Sequence, residues 1–345
     1  MRRNGWGRVL QVLLLVGGLT LLGVIVYRVG PAKLWQQITA FGIGLVIFVA
    51  LEFVSDCFHA IGTAHCFSRE GRRPPLLNLF YMRRTSMAYN FITPTSGFGG
   101  EVVKAMMLER YVSRSEAASV VIIDKFASGI TQFTMAFVGS AVIVTWTSLE
   151  MGLKIAFWAA SAIMAGGFVG FLVCQHQGWF SGFFARVVGV VAGQRGRDWV
   201  ASNLAPLDQQ LRTYYQKQRK DLVLTICWHA LAYTTGIVQA WLFLHVVLGQ
   251  GDWVKASAIW CMGTWFDTIL FMVPAALGTQ ELSRALIFER AIGFGWAEGV
   301  AFSMVLRINE IVPTAVGFVT HALEMASRRP VEVPELERAQ TPPHG

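Results

Sequence analysis

The chain has 345 residues, 54% of them hydrophobic and 14% charged, with 29 Lys and Arg against 21 Asp and Glu for a net charge of +8. Soluble domains carry about 25% charged residues, so this composition excludes an ordinary soluble globular protein and points to one integral-membrane domain. In that setting the positive balance is explained by basic cytoplasmic loops near acidic headgroups rather than by nucleic acid.

The first apolar run, Val9–Tyr27, follows basic residues as the core of a signal peptide would. It is longer than such a core, and no small-x-small site follows it, which predicts a retained first helix. A second helix is predicted over Ile38–Phe67, ended by the basic loop SREGRRPP. The next region, Leu76–Tyr111, is irregular. It contains PTSGFGG and also Arg83, Arg84, Glu101, Lys104, Glu109 and Arg110. A charge facing lipid at depth costs roughly 2.5–3.5 kcal/mol, and irregular backbone is tolerated there only beside protein or a water-filled cavity. A half-helix entering, a loop at PTSGFGG and a half-helix leaving meets both demands.

Long helices are predicted over Glu116–Ser148 and Leu153–Cys174, followed by a polar, basic stretch over 175–220 with short amphipathic pieces. Then come a helix over Asp221–Leu248, a second irregular region over Ala256–Arg290, and a last helix over Trp296–Met325. The tail, residues 326–345, is rich in Pro and charge, a composition that favours disorder. Lys and Arg concentrate in the loops that a cytoplasmic N-terminus places inside, and the bias favours that orientation. The expected architecture is all-α: six full crossings and two re-entrant hairpins in a single membrane domain over 1–325, with both termini cytoplasmic.

The two irregular regions repeat each other. VPAALGTQELSRALIFER lies beneath TPTSGFGGEVVKAMMLER without a gap, at an offset of 180 residues. Pro94 falls on Pro274, Glu101 on Glu281, Lys104 on Arg284, Ala105 on Ala285, Glu109 on Glu289 and Arg110 on Arg290. Three expected crossings separate the hairpins, so they would enter from opposite faces as an inverted-topology repeat over 9–148 and 153–325. Transporters built this way bind substrate near the midplane, where broken helices aim their positive N-termini at the centre. The plainer reading is that the breaks are kinks and the glutamates are first-turn caps.

Polar stripes run at helical spacing. Asp124, Ser128 and Thr131 share one face, with Lys125 beside Asp124 as a partner across helices. Ser303, Arg307, Glu310 and Thr314 share another. Glu52, Asp56, His59 and Thr63 form a third. Asp56 and His59 have the spacing of half a di-metal site, but no second half appears, and a polar interhelical seam accounts for them better. His229 and His245 stand alone. Cys57, Cys66, Cys174, Cys227 and Cys261 lack metal-ligand spacing and read as small buried hydrophobes. No P-loop, nucleophile elbow or HExxH pattern occurs, so no cofactor, metal or catalytic residue is expected.

The run Asn90, Pro94, Gly99-Gly100-Glu101, Lys104 and then Asp124 resembles the lysylphosphatidylglycerol synthase transmembrane-region family, also called flippase-like domain proteins. So does the later run Pro274, Gly278, Gln280-Glu281 and Arg307. The GGEVVKAMMLER and LGTQE segments are also similar to a subgroup associated with hopanoid lipid loci. The resemblance covers about residues 9–325 and implies a domain that moves lipid between leaflets of the bacterial inner membrane. In bifunctional members a soluble domain aminoacylates phosphatidylglycerol. Only about twenty residues follow the last predicted helix, so only the translocation half is carried over.

The expected partner is a membrane lipid with a charged or polar headgroup, and the chain is not expected to be an enzyme. The expected headgroup site comprises Arg84, Asn90, Pro94, Gly99, Gly100, Glu101, Lys104, Asp124, Lys125, Pro274, Gly278, Gln280, Glu281, Arg284, Arg307 and Glu310. The alternatives are a membrane-embedded lipid-modifying enzyme, an accessory subunit of lipid glycosylation or modification, and a scaffold whose polar stripes only pack helices. The lipid, its direction, the coupling ion and whether copies associate as a homo-oligomer are left open by the sequence.

Overall fold

The structure is a computed structural model that describes residues 20, 23–68, 73–92, 99–146, 150–177, 209, 211–270, 273 and 276–326, with isolated positions between 182 and 194. Among the described residues all regular structure is helical. Most of the predicted first helix, most of 175–220, the break at 93–98, Pro94, Pro274 and the tail from 327 lie outside the described residues. Residues 23–29 are helical.

The helix predicted over Ile38–Phe67 is two helices. Gly42, at φ +50, ends α1 (Pro31–Phe41) and starts α2 (Ile43–Ala64). A glycine adopts that left-handed conformation without steric cost, so the chain turns there. The first irregular region is α3 (Leu76–Ile92) and α4 (Gly99–Leu108), followed by the long α5 (Arg114–Trp146). Then come α6 (Met151–His176) and α7 (Arg219–Leu248), which Gly249 closes in the left-handed conformation. The second irregular region is α8 (Trp253–Ile269), capped by the Asp252 carboxylate, and α9 (Thr279–Leu286), which continues as a π turn over Ile287–Ala291. The last helix is α10 (Trp296–Ala326), with Pro313 inside it.

Of the described helices, α2, α5, α7 and α10 are long and apolar enough to cross a membrane. The 10 residues of α4 and the 8 of α9 are too short to do so, because about 20 helical residues span the hydrocarbon core.

The centre of the fold is the pair α2 and α7. Gln239 donates to the Phe48 carbonyl, Ser55 to that of Ala232, and Thr225 to that of Gly62. Numbers rise along α2 as they fall along α7, so the two run antiparallel. The face α7 buries includes Thr225, His229, Ala232, Gly236, Gln239 and Ala240. Small and polar residues of this kind let membrane helices approach closely and bond.

Most of the other contacts among the described helices come in matched sets. As α5 packs on α8, α3 packs on α10; as α3 packs on α2, α8 packs on α7; as α4 packs on α5, α9 packs on α10; and as α7 packs on α5, α2 packs on α10. In the first of these matches both crossings are tight at a glycine. A Cβ on Gly139 of α5 would strike the Cys261 carbonyl of α8, and one on Gly317 of α10 would strike the Arg84 carbonyl of α3.

Apolar clusters cover both ends of the α2–α7 pair. One contains Phe41, Phe48, Phe243, Phe288 and Phe302; the other contains Phe67, Leu79, Leu108, Ile123 and Leu211. Glu52 to Thr63 lie between them along α2. Large apolar side chains such as Val46, Ile47, Val54, Val223 and Leu231 face outward, as lipid contact requires. Cys66 and Cys261 are buried as expected, but Cys57 and Cys227 are exposed on these outer faces.

Candidate functional site

The first short helix starts where α3 and α4 touch backbone to backbone. Asn90 Oδ1 accepts from the Gly100 N–H at 2.7 Å, and a Cβ at Gly100 would fall on the Ser86 carbonyl. This explains Gly100: only glycine lets α4 begin so close to α3. Glu101 follows in the first turn, where the helix dipole favours an anion. Its Oε1 lies 3.3 Å from Lys125 Nζ of α5. The sequence predicts that Lys125, the chain neighbour of Asp124, pairs across helices; in the fold that partner is Glu101 of α4, on a different face from Asp124 because successive residues of a helix do not share one.

Lys104, one turn further along α4, is 1% exposed. Its ammonium lies 2.7 Å from Asp124 Oδ2 and 3.3 Å from Thr63 Oγ1. Thr63 donates to Asp124 Oδ1 at 2.7 Å, and His229 Nε2 lies 3.1 Å from the same oxygen. His229 Nδ1 in turn faces His59 Nδ1 at 2.6 Å. His229, set aside in the sequence as isolated, therefore sits at the junction of four helices. The signal was the small and polar face of α7, which runs at helical spacing through Thr225, His229 and Ala232.

The Glu52–Thr63 stripe of α2 is a seam with a partner at every position. Arg84, 3% exposed, is ion-paired with Asp56 and lies 3.6 Å from Glu52. Arg83 Nε is 3.4 Å from Asp56, and Asn309 of α10 donates to Glu52 at 3.1 Å. Asp56 is thus directed at two guanidiniums and His59 at another histidine.

The second short helix starts at Gly278, whose φ of +74 again calls for glycine. Glu281 is fully buried and accepts from Arg307 Nε at 2.8 Å and Nη2 at 3.3 Å. Arg307 also donates to the Ala276 carbonyl and to Glu310, and Glu310 accepts from Gln280. Arg284, 4% exposed, holds Asp267 of α8 through two parallel bonds of 2.9 and 2.6 Å, the fork geometry that a guanidinium offers a carboxylate. Gly263 of α8 packs directly against that guanidinium.

The expected residues therefore fall into two clusters. Arg84, Asn90, Gly99, Gly100, Glu101, Lys104, Asp124 and Lys125 belong to the first; Gly278, Gln280, Glu281, Arg284, Arg307 and Glu310 belong to the second. In each, the carboxylate at the start of the short helix pairs with a cation of the long helix that follows. In each, the buried cation one turn on has a carboxylate partner.

Two cavities lie beside the first cluster. One of about 450 Å³ opens between the end of α2, the start of α5 and residues 209–218, and Glu116, Thr213, Tyr214 and Gln218 are among its lining residues. Burial pushes the Tyr214 phenol well above its ordinary pKa, so it stays a neutral donor, bonded to the His65 carbonyl at 2.9 Å. The other, about 400 Å³, opens between α3, α4 and α10 and is lined by Asn78, Tyr81, Thr85, Met107 and Thr320 among others. Glu101, Lys104, Glu281 and Arg284 line neither of these two cavities.

The lysylphosphatidylglycerol synthase TM region family matches residues 8–317. The chain belongs to this family. No curated protein and no solved structure matches it. Family membership and the long apolar helices make the chain a multi-pass membrane protein with a lipid-related role.

Proposed function

We propose that the chain is a lipid translocase of the bacterial inner membrane that passes a polar-headgroup lipid between leaflets. One observation carries the proposal: two short helices, each starting at a buried glutamate paired to a cation of the next long helix, one in each matched half. The pairing of α2 with α7 supports an inverted relation between the halves. Two equivalent helices that touch while running antiparallel are exchanged by an axis perpendicular to them, and for membrane-crossing helices that axis lies in the membrane plane.

On this reading α3–α4 and α8–α9 are the re-entrant hairpins, entering from opposite faces. The N-termini of α4 and α9 supply positive dipole ends, and Lys125 and Arg307 supply cations that can exchange a glutamate for a lipid phosphate. The ion pairs hold the unloaded site together. The headgroup competes for the cations in transit.

Purified protein in vesicles carrying fluorescent phospholipids, with leaflet exposure read by a membrane-impermeant quencher, tests this directly. Wild-type protein should equilibrate the leaflets, and Glu101→Gln and Glu281→Gln should each slow that exchange while the protein stays folded. Normal exchange by both variants would return the glutamates to a capping role. A change in the total amount of any lipid species, instead of in its leaflet distribution, would point to an enzyme.

A further inference from the structure

A deeply buried polar junction is a chain of three side chains from three helices. His59 of α2 and His229 of α7 are 5% and 1% exposed, and Asp124 of α5 is 4% exposed. Their hydrogens are assigned by elementary valence. Lys104 Nζ, 2.7 Å from Asp124 Oδ2, marks Asp124 as a carboxylate, which only accepts. His229 Nε2, 3.1 Å from Oδ1, therefore donates. A neutral His229 then has its lone pair on Nδ1. Since His59 Nδ1 faces that atom at 2.6 Å, His59 Nδ1 is the donor. The remaining lone pair of the chain is on His59 Nε2.

We propose that His59, His229 and Asp124 form a proton wire that couples lipid movement to the proton gradient; this rests on the translocase reading. A proton binds His59 Nε2. The hydrogen on His59 Nδ1 passes to His229 Nδ1, and the hydrogen on His229 Nε2 passes to Asp124 Oδ1. Both rings end neutral, each with its hydrogen on the other nitrogen, and Asp124 ends as a carboxylic acid. One proton has entered, and one carboxylate charge has been removed. Lys104 loses its counter-anion and keeps only neutral acceptors, the Asp124 Oδ2 at 2.7 Å and the Thr63 hydroxyl at 3.3 Å. A buried ammonium without an anion is costly, so a headgroup phosphate takes the place of Asp124. Running the same transfers backwards returns the proton, restores the Lys104–Asp124 pair and expels the phosphate.

The surroundings suit this use. On α2 itself, Asp56 and Glu52 precede His59 by about one and two turns. From α3, Arg83 and Arg84 face Asp56. Lys104 and Glu101 approach from α4, with Lys125 of α5 on Glu101. Tyr233 of α7 lies edge-on to His59, with ring centroids 5.6 Å apart, and α10 offers Asn309 to Glu52. The wire thus has guanidiniums near its His59 end and an anion at the other, which gives proton movement a direction. Chains of Asp and His inside a membrane serve as proton relays in pumps and transporters.

The test uses vesicles containing the purified protein and a fluorescent phosphatidylglycerol, with leaflet exchange measured with and without an imposed pH gradient. A gradient of one unit is worth up to about tenfold in rate. Wild-type exchange should respond severalfold to the gradient and reverse its preference when the gradient is reversed. His59→Asn and His229→Asn each keep one polar group near Nδ1 but cannot pass a proton through the ring, so their ratio of rates with and without gradient should be close to one. Exchange that ignores the gradient in wild-type protein, or that still responds to it in both variants, overturns the coupling alone. Absence of exchange under every condition overturns the coupling together with the translocase reading. Nitrogen-15 spectra of labelled histidines in wild-type protein give a reading independent of transport: His59 should carry its hydrogen on Nδ1 and His229 on Nε2, or both on the opposite nitrogens once Asp124 is protonated, and neutral rings that carry their hydrogens on like-named nitrogens would refute the wire even if lipid moved.

Discussion

The Lys104 ammonium lies 2.7 Å from Asp124 Oδ2, and neither side chain is more than 5% exposed. Two charges at that depth are tolerable only together. Removing one partner leaves the other unpaired, which typically costs about 3–5 kcal/mol. Lys104→Met and Asp124→Asn should each be strongly destabilised. The double variant should recover most of the loss, since an asparagine Oδ1 still accepts from Thr63 and His229. Thermal unfolding in detergent of the four proteins measures this. A double variant no more stable than the worse single variant would mean that the pair is not the dominant interaction of either residue.

The two glycine crossings give a second prediction. Gly139→Ala would drive a methyl into the Cys261 carbonyl, and Gly317→Ala one into the Arg84 carbonyl. Backbone cannot swing aside as a side chain does, so each should cost about 1–3 kcal/mol or more. Gly152, with nothing within 4 Å of its Cβ position, is the control, and Gly152→Ala should change stability little. Equal unfolding temperatures for all three variants would contradict the close packing of α5 on α8 and of α3 on α10.

The repeat was legible in the sequence because its marks are costly in a membrane. Pro, Gly and buried charge are retained there only for a reason, so Glu101, Lys104, Glu281 and Arg284 stood out. Their partners did not. Asp267 sits on a helix read as part of an irregular region, and no spacing rule links it to Arg284 on a separate element. His229 was missed for the same reason: its meaning depends on His59 and Asp124, which come from two other helices. Gly42 was hidden among apolar residues of the right length to continue a helix, and only its positive φ shows the turn. Burial of the charges was thus more legible than their pairing, which is a property of the packed fold.

Orientation is tested at the two ends of α7. Lys217 and Gln250 flank it and are both exposed. If α7 crosses the membrane, Lys217→Cys in a protein freed of its other cysteines should react with an impermeant thiol reagent only from the cytoplasmic side. Gln250→Cys should react only from outside. Both reacting from one side would remove the crossing, and with it the opposed hairpins.

The last prediction concerns the two buried cations. Lys104 and Arg284 occupy equivalent places in the two short helices, and each has its own carboxylate, Asp124 for one and Asp267 for the other. They share no partner, so purely structural roles would give independent effects that multiply in rate and add in free energy. A transport cycle behaves differently. If one cation meets the headgroup from one side of the membrane and the other from the opposite side, loss of either blocks one half of the cycle. A second block then adds little, because the cycle has already stopped. To keep the comparison clear of folding, Lys104→Met is paired with Asp124→Asn and Arg284→Met with Asp267→Asn, so that no unpaired charge stays buried. Lipid exchange per folded protein should fall to a similar low level in each paired variant and in their combination. Rates that multiply in the combined protein would argue against a shared cycle and favour two independent structural ion pairs.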